Sequence, residues 1–189
     1  FASALKALLL KGPVKKISQR ADIVFSYGGK ITDIIRSLGV KNSNIIECAS
    51  GIEEEFIVQN IKHTSDKKRF LYLWRYERRK GIEELSLALE QLLSKQTSEF
   101  EFHFIGAIPE HKKINHKQII YHGEIRDRNI LLEKMRMCDV LICPSFSEGF
   151  PNVILEAMSN GLAVAATNVG AVQLLVNAEV GWIIERPDA

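Results

Sequence analysis

Two stretches of the sequence combine residue types that can hold an anion. The first, Trp74-Arg75-Tyr76-Glu77-Arg78-Arg79-Lys80-Gly81, follows an apolar run and sets Arg75 and Lys80 at its two ends. Each charge-assisted hydrogen bond from such a cation is worth roughly 1.5–3 kcal/mol, so two are enough to hold a diphosphate. Arg78 and Arg79 read as a solvated basic turn. The second stretch, Pro144-Ser145-Phe146-Ser147-Glu148-Gly149-Phe150-Pro151-Asn152-Val153-Ile154-Leu155-Glu156-Ala157-Met158, turns through Gly149 into a helix opened by Pro151. The first backbone N–H groups of a helix have no partners within it, and the helix dipole adds positive charge there, so this start attracts an anion. Glu148 precedes that helix and Glu156 lies inside it among Val153, Ile154, Leu155, Ala157 and Met158. A carboxylate among apolar neighbours usually has a specific partner. Taken singly, Glu148 is equally well a helix-terminal charge and Glu156 a solvent-facing residue; as a pair they frame the anion site.

The elements that must position these groups follow from periodicity. Phe70 to Trp74, Phe100 to Ile105, Ile119 to Tyr121, Val140 to Cys143, Leu162 to Ala166 and Gly181 to Ile184 read as strands. Between them, helices are predicted over Gly81–Lys95, from a cap at Asp127 to about Met137, over Pro151–Asn160 with Gly161 as its stop, and over Ala171–Val176. Strands alternating with helices on short connections predict an α/β fold, a Rossmann-like parallel sheet flanked by helices. Ligands of such sheets sit at the carboxyl ends of the strands, here residues 74–81, 106–117, 122–127, 144–152 and 167–171. Residues 1–50 have the same rhythm, with strands at Ile23–Phe25 and Asn44–Cys48 around a helix from about Ile31 to Leu38. The expected organisation is therefore 1–50 as the end of one domain, 51–66 as a connection containing Glu53-Glu54-Glu55, and 67–189 as a second domain.

Composition narrows the function classes. A chain of 189 residues with 46% hydrophobic and 25% charged residues reads as an ordinary globular protein, and no apolar run approaches the ~18–20 residues of a membrane helix. Cys48, Cys138 and Cys143 are too few and too scattered for a disulfide framework or metal cluster, which fits a reducing cytosol. His63, His103, His111, His116 and His122 show no ligand spacing. The net charge of +2 divides into +5 for residues 1–50 (eight Lys/Arg, three Asp/Glu) and −3 for the rest (17 against 20). Lys6, Lys11, Lys15, Lys16 and Arg20, interleaved with Ala4, Leu5 and Ala7 to Leu10, form either a solvated basic helix face, the more economical reading, or a face resting on anionic lipid. Nucleic acid is disfavoured, because the basic residues do not interleave with aromatics. A chain that opens on Phe1 without a signal pattern reads as a piece of something longer.

Arg75-x4-Lys80-Gly81 together with Glu148-x7-Glu156, inside Glu-Gly-Phe-Pro-Asn-x3-Glu-Ala-Met, resembles the donor-binding half of family 4 glycosyltransferases with the GT-B fold. Phe104-Ile105-Gly106, His122-Gly123-Glu124-Ile125, Cys138 to Ser145 and Gly161 to Thr167 resemble it in the same order, and Ala21 to Ser26 resembles the end of the acceptor domain. The resemblance implies a sugar transferred from a nucleotide-diphosphate donor, a UDP- or GDP-sugar, to a glycan or lipid-linked acceptor, with retention and without cofactor or metal. Arg75 and Lys80 would hold the diphosphate and stabilise the leaving nucleoside diphosphate. Glu148 would contact the sugar hydroxyls and Glu156 the ribose. Gly106 and Ile125 would line the base pocket, and N–H groups around Gly149, at Phe150, Asn152 and Val153, would complete the anion site. The basic N-terminal segment fits a cytoplasmic enzyme, with a peripheral place at the inner membrane surface as the further option, and the fragment is expected to bind donor but transfer nothing alone.

Several positions depart from the family pattern. Pro151 stands where a glycine is common and cannot donate a backbone hydrogen bond. Leu174 replaces a usual glutamate, Trp74 a small glycine, and Ala49-Ser50-Gly51-Ile52 a Pro-Asn-Gly-Ile. Two other readings share these residues: a GT-B nucleotide-sugar epimerase, and a non-catalytic module that binds a nucleotide-sugar. A dinucleotide-dependent oxidoreductase is disfavoured, since Tyr27-Gly28-Gly29-Lys30 is not a Gly-x-Gly-x-x-Gly.

Overall fold

The computed structural model describes residues 12–52, 54, 57, 58, 67–95 and 99–185. Lys6, Lys11, the apolar residues between them, Glu53, Glu55 and His63 lie outside the described residues. The chain divides into two units, Phe1–Ser50 and Gly51–Ala189.

In the first unit residues 12–20 are helical (α1), followed by β1 (Val24–Ser26), α2 (Gly29–Ser37) and β2 (Ile45–Glu47). β1 and β2 pair in parallel, Val24 opposite Ile45. Buried Thr32 on α2 shares a 2.7 Å hydrogen bond between hydroxyls with buried Ser26, which fixes the helix to the strand end. Lys15, Lys16 and Arg20 on α1 are exposed, as are Val14 and Ile17.

The second unit contains β3 (Lys68–Leu73), α3 (Ile82–Ser94), β4 (Phe100–Ile105), β5 (Ile119–Gly123), α4 (Arg128–Arg136), β6 (Val140–Cys143), α5 (Asn152–Ser159), β7 (Ala163–Thr167), a single turn α6 (Val172–Leu175) and β8 (Gly181–Ile184). All six strands are parallel, in the order β5-β4-β3-β6-β7-β8. The first three strands in sequence run outward one way and the last three the other, so the order reverses between β3 and β6. Diverging connections open a crevice at such a point, at the carboxyl ends of the strands.

Both faces of the sheet are covered, which explains its apolar strands. On one side Tyr72, Phe100, Phe102 and Phe104 pack under Ile82, Leu85 and Leu89 of α3. On the other, Leu71, Leu141, Cys143 and Val164 meet Leu132 and Met135 of α4 and Ile154 and Ala157 of α5. Asp127 caps α4 as its sequence predicts, accepting hydrogen bonds from the N–H groups of Asn129 and Ile130 at 2.9 and 3.1 Å. α5 begins one residue later than expected. Pro151 keeps an extended ψ of 91° and forms the cap, so the first helical residue is Asn152.

Candidate active site

A cavity of about 600 Å³ opens at the carboxyl ends of β3, β4 and β5. Trp74, Arg75, Glu77, Arg79 and Lys80 line it from the segment after β3, Gly106 and Ala107 from after β4, and Glu124 and Ile125 from after β5. Three of its walls are thus the successive strand–helix connections on one side of the switch point. Their backbones interlock: the Tyr76 N–H donates to the Ala107 carbonyl at 2.9 Å, and the Gly106 N–H to the Gly123 carbonyl at 2.8 Å.

Lys80 ends a tight turn of three residues, Arg78–Lys80, and is buried. Its ammonium lies 2.6 Å from Glu148 Oε1, with only 9% and 8% of the two side chains exposed. The Ser145 hydroxyl donates to the same carboxylate oxygen at 2.6 Å, and the Trp74 ring flanks the ammonium at 5.1 Å. Lys80 follows β3 and Glu148 follows β6, so the pair closes the switch point between neighbouring strands. Ser145 is itself anchored, its carbonyl accepting a short bond from the Thr167 hydroxyl at the end of β7.

Arg75 lines the same cavity but stands mostly in solvent (74% exposed), with Nε 3.5 Å from Glu77 Oε2. The structure therefore brings Arg75, Lys80, Gly106 and Ile125 to one cavity and ties Glu148 to it through Lys80. Gly149, Phe150, Asn152, Val153 and Glu156 do not line that cavity. Gly149 and Phe150 lead from Glu148 into α5, where Asn152 is exposed and Val153 and Glu156 are half-buried. Burial pushes the Glu156 carboxyl above the usual carboxylate value, with Arg128 opposing the shift.

Arg79 is exposed on its turn, as expected, and it also lines the cavity and makes a short ion pair with Glu77. Arg78 remains outside, 83% exposed and 3.6 Å from Glu83. Ser145 is an addition to the expected site residues, three positions before Glu148 and so near enough in the chain for the two side chains to meet. Cys138 and Cys143 are buried, and desolvation pushes both thiols up to about 12, which makes them unreactive core residues.

Beside this site the histidines form an unforeseen pair. His103 stands opposite Ile120 in the β4–β5 register, so His122 two residues on shares its face. The rings stack with centroids 5.2 Å apart, and His103 Nδ1 lies 2.9 Å from His122 Nε2. Burial lowers both imidazole pKa values, helped at His103 by His122 and at His122 by Lys134; Glu101, 3.6 Å from His103 Nε2 and paired with Arg69, opposes this at His103. The unfolded chain then takes up protons before the folded one does. Stability should be full above the ordinary imidazole pKa of about 6.5 and fall as pH drops below it, by at most ~1.4 kcal/mol per pH unit for each group. Melting temperatures between pH 7.5 and 5 should drop more in the wild type than in His103→Gln/His122→Gln; parallel curves would refute the assignment.

The profile of the family described as "Glycosyl transferases group 1" matches residues 53–189. The capsular polysaccharide biosynthesis glycosyltransferase CapM of Staphylococcus aureus is 28% identical over 170 residues, 82% of this chain and 43% of CapM. The N,N'-diacetylbacillosaminyl-diphospho-undecaprenol alpha-1,3-N-acetylgalactosaminyltransferase of Campylobacter jejuni is 24% identical over 152 residues, 78% of this chain and 39% of that protein. The chain thus spans less than half the length of these curated relatives. Among solved structures, Anabaena Alr3699/HepE in complex with UDP and glucose superposes with a TM-score of 0.74 at 18% identity, over 94% of this chain and 53% of that one. At that identity the likeness establishes a shared GT-B fold.

Proposed function

The chain belongs to the glycosyl transferases group 1 family, and from that premise we propose that it supplies the donor side of a sugar transfer from a nucleotide-diphosphate sugar to a glycan or lipid-linked acceptor. The observation that carries this reading is the buried Lys80–Glu148 pair at the switch point, beside a cavity that Arg75 also lines. Lys80 and Arg75 would take the diphosphate oxygens, Gly106 and Ile125 the base, and Glu156 the ribose. Glu148 receives Lys80 and Ser145 on one oxygen, Oε1. Its second oxygen would accept from hydroxyls of the transferred sugar.

In the transfer itself the bond between the anomeric carbon and the phosphate oxygen breaks, and the nucleoside diphosphate leaves with its electron pair. An acceptor hydroxyl oxygen bonds that carbon on the same face, and its proton leaves with the diphosphate. Charge accumulates on the departing phosphate, where Arg75 and Lys80 would donate; removing one such donor typically costs 10²–10³ in rate. CapM acts in capsular polysaccharide biosynthesis and Alr3699/HepE was solved with UDP, which supports a nucleotide-sugar donor and a glycan product here. The donor is a UDP- or GDP-sugar and the transfer needs no metal. The relatives' greater length supports assigning the acceptor site to a domain of which residues 1–50 are only the final elements, so that these residues bind donor without transferring it. The proposed location is the cytoplasm, and exposed Lys15, Lys16 and Arg20 beside exposed Val14 and Ile17 support a face that touches anionic lipid.

The test is a thermal-shift panel of UDP, GDP and their sugars on this chain. Ligand at a hundred times its dissociation constant adds about 2.7 kcal/mol, enough to raise the melting temperature by several degrees. At least one nucleotide should do so in a concentration-dependent way, and Arg75→Ala should reduce the shift. A flat panel refutes the donor assignment.

A further inference from the structure

Glu77 has no part in the reading above, yet it lines the same cavity and its carboxylate holds two of the three cations that line it among the described residues. Oε2 lies 3.5 Å from Arg75 Nε, and Oε1 makes a short bond with Arg79 Nε. The carboxylate is the better buried partner, 29% exposed against 74% and 51% for the guanidinium side chains. The backbone below is fixed from three sides. Tyr76 N–H donates to Ala107, Lys80 N–H donates at 2.8 Å to the Glu77 carbonyl, and Phe146 N–H donates at 2.8 Å to the Arg79 carbonyl. Any rearrangement in this segment therefore belongs to the long side chains. Arg79, and then Arg75, hold the Glu77 carboxyl below the usual carboxylate range, so it is negative wherever a diphosphate is.

We propose that Glu77 is a positioning residue and an internal competitor of the donor diphosphate, gathering Arg75 and Arg79 beside the cavity and yielding both to phosphate oxygens as donor enters. Arg79 then becomes a third cation of the diphosphate site. The exchange is possible because a carboxylate and a phosphate both accept from a guanidinium fork in the same geometry. It has a cost: the bound diphosphate lies near a carboxylate of like charge, so the site holds its anion less tightly than its cations alone would. This inference rests on the donor reading of the cavity.

Titration calorimetry of this chain with UDP, GDP and inorganic pyrophosphate, at low and moderate salt, tests it. Glu77→Gln should tighten binding by roughly three- to tenfold at low salt, the effect of removing one partly screened like charge, and steepen the salt dependence. Arg79→Gln should weaken binding, and Glu77→Gln should gain less in the Arg79→Gln background than in the wild type. Damage to the fold cannot produce tighter binding, so the sign of the change separates this role from a structural one. Unchanged or weaker binding by Glu77→Gln, where the wild type binds, overturns the inference and makes Glu77 a prop that holds Arg75 in place. A wild type that binds none of the three overturns the donor reading and this inference with it.

Discussion

Lys80→Ala should cost about 3–5 kcal/mol of stability, because it leaves Glu148 buried without its partner cation. A fold of this size has only about 5–15 kcal/mol in total, so the variant is expected near its unfolding threshold and without measurable affinity for a nucleoside diphosphate. Those two losses have different origins and can be separated. In Lys80→Met/Glu148→Gln no charge remains at the switch point, the methionine keeps most of the volume beside Trp74, and Ser145 can still donate to the amide oxygen at position 148. Replacing a buried ion pair with neutral groups of similar size is often neutral for stability, so urea denaturation should return most of the lost free energy. Binding of UDP or GDP should not return. Glu148 is assigned to the sugar and not to the diphosphate, so its change does not blur this readout. A double variant that regains both stability and nucleotide affinity would show that Lys80 only holds the fold together.

The double variant isolates what the sequence could not state. Arg75, Lys80 and Glu148 are legible as chemistry-bearing types at strand ends, but Lys80 and Glu148 lie 68 positions apart and meet only because β3 neighbours β6. Strand order is a tertiary fact, set by which crossovers pack, and periodicity along the chain does not encode it. Which carboxylate takes which cation is equally tertiary, so the basic turn after β3 concealed the Glu77–Arg79 pair. Local elements fared better. Val140–Cys143 and Gly181–Ile184 fall where their apolar runs place them, and Asp127 caps α4. β5 runs two residues past its apolar core through His122 and Gly123, because Gly123 still pairs with Ile105 across the sheet and backbone pairing needs no apolar side chain. α2 starts two residues early, at Gly29, since helical hydrogen bonding extends past the first apolar residue that periodicity detects.

Gly106→Ala should cost about 2–6 kcal/mol and at least a tenfold loss of nucleotide affinity, through the backbone alone. Gly106 has φ +134°, outside the range side-chain-bearing residues favour. A Cβ there would overlap the Trp74 carbonyl and stand 2.9 Å from the Arg75 nitrogen. The obstacle is backbone at the end of β3, held by the Tyr76–Ala107 bond, so it cannot rotate away as a side chain would. Overpacking of this kind costs typically 1–3 kcal/mol and the unfavourable φ about 1–3 more. Relief requires the Trp74–Arg75 peptide and the Gly106 peptide to part, which widens the cavity on the assigned base side and turns Arg75 off its line. Gly123→Ala is the matched control. Gly123 also has a positive φ, 72°, but nothing lies within 4 Å of its added Cβ, so it should lose only the ~1–2 kcal/mol conformational term and keep its nucleotide affinity. Equal affinities in the two variants would remove Gly106 from the base pocket; a loss confined to Gly106→Ala would tie donor binding to the close approach of β4 on β3 and not to glycine content in general.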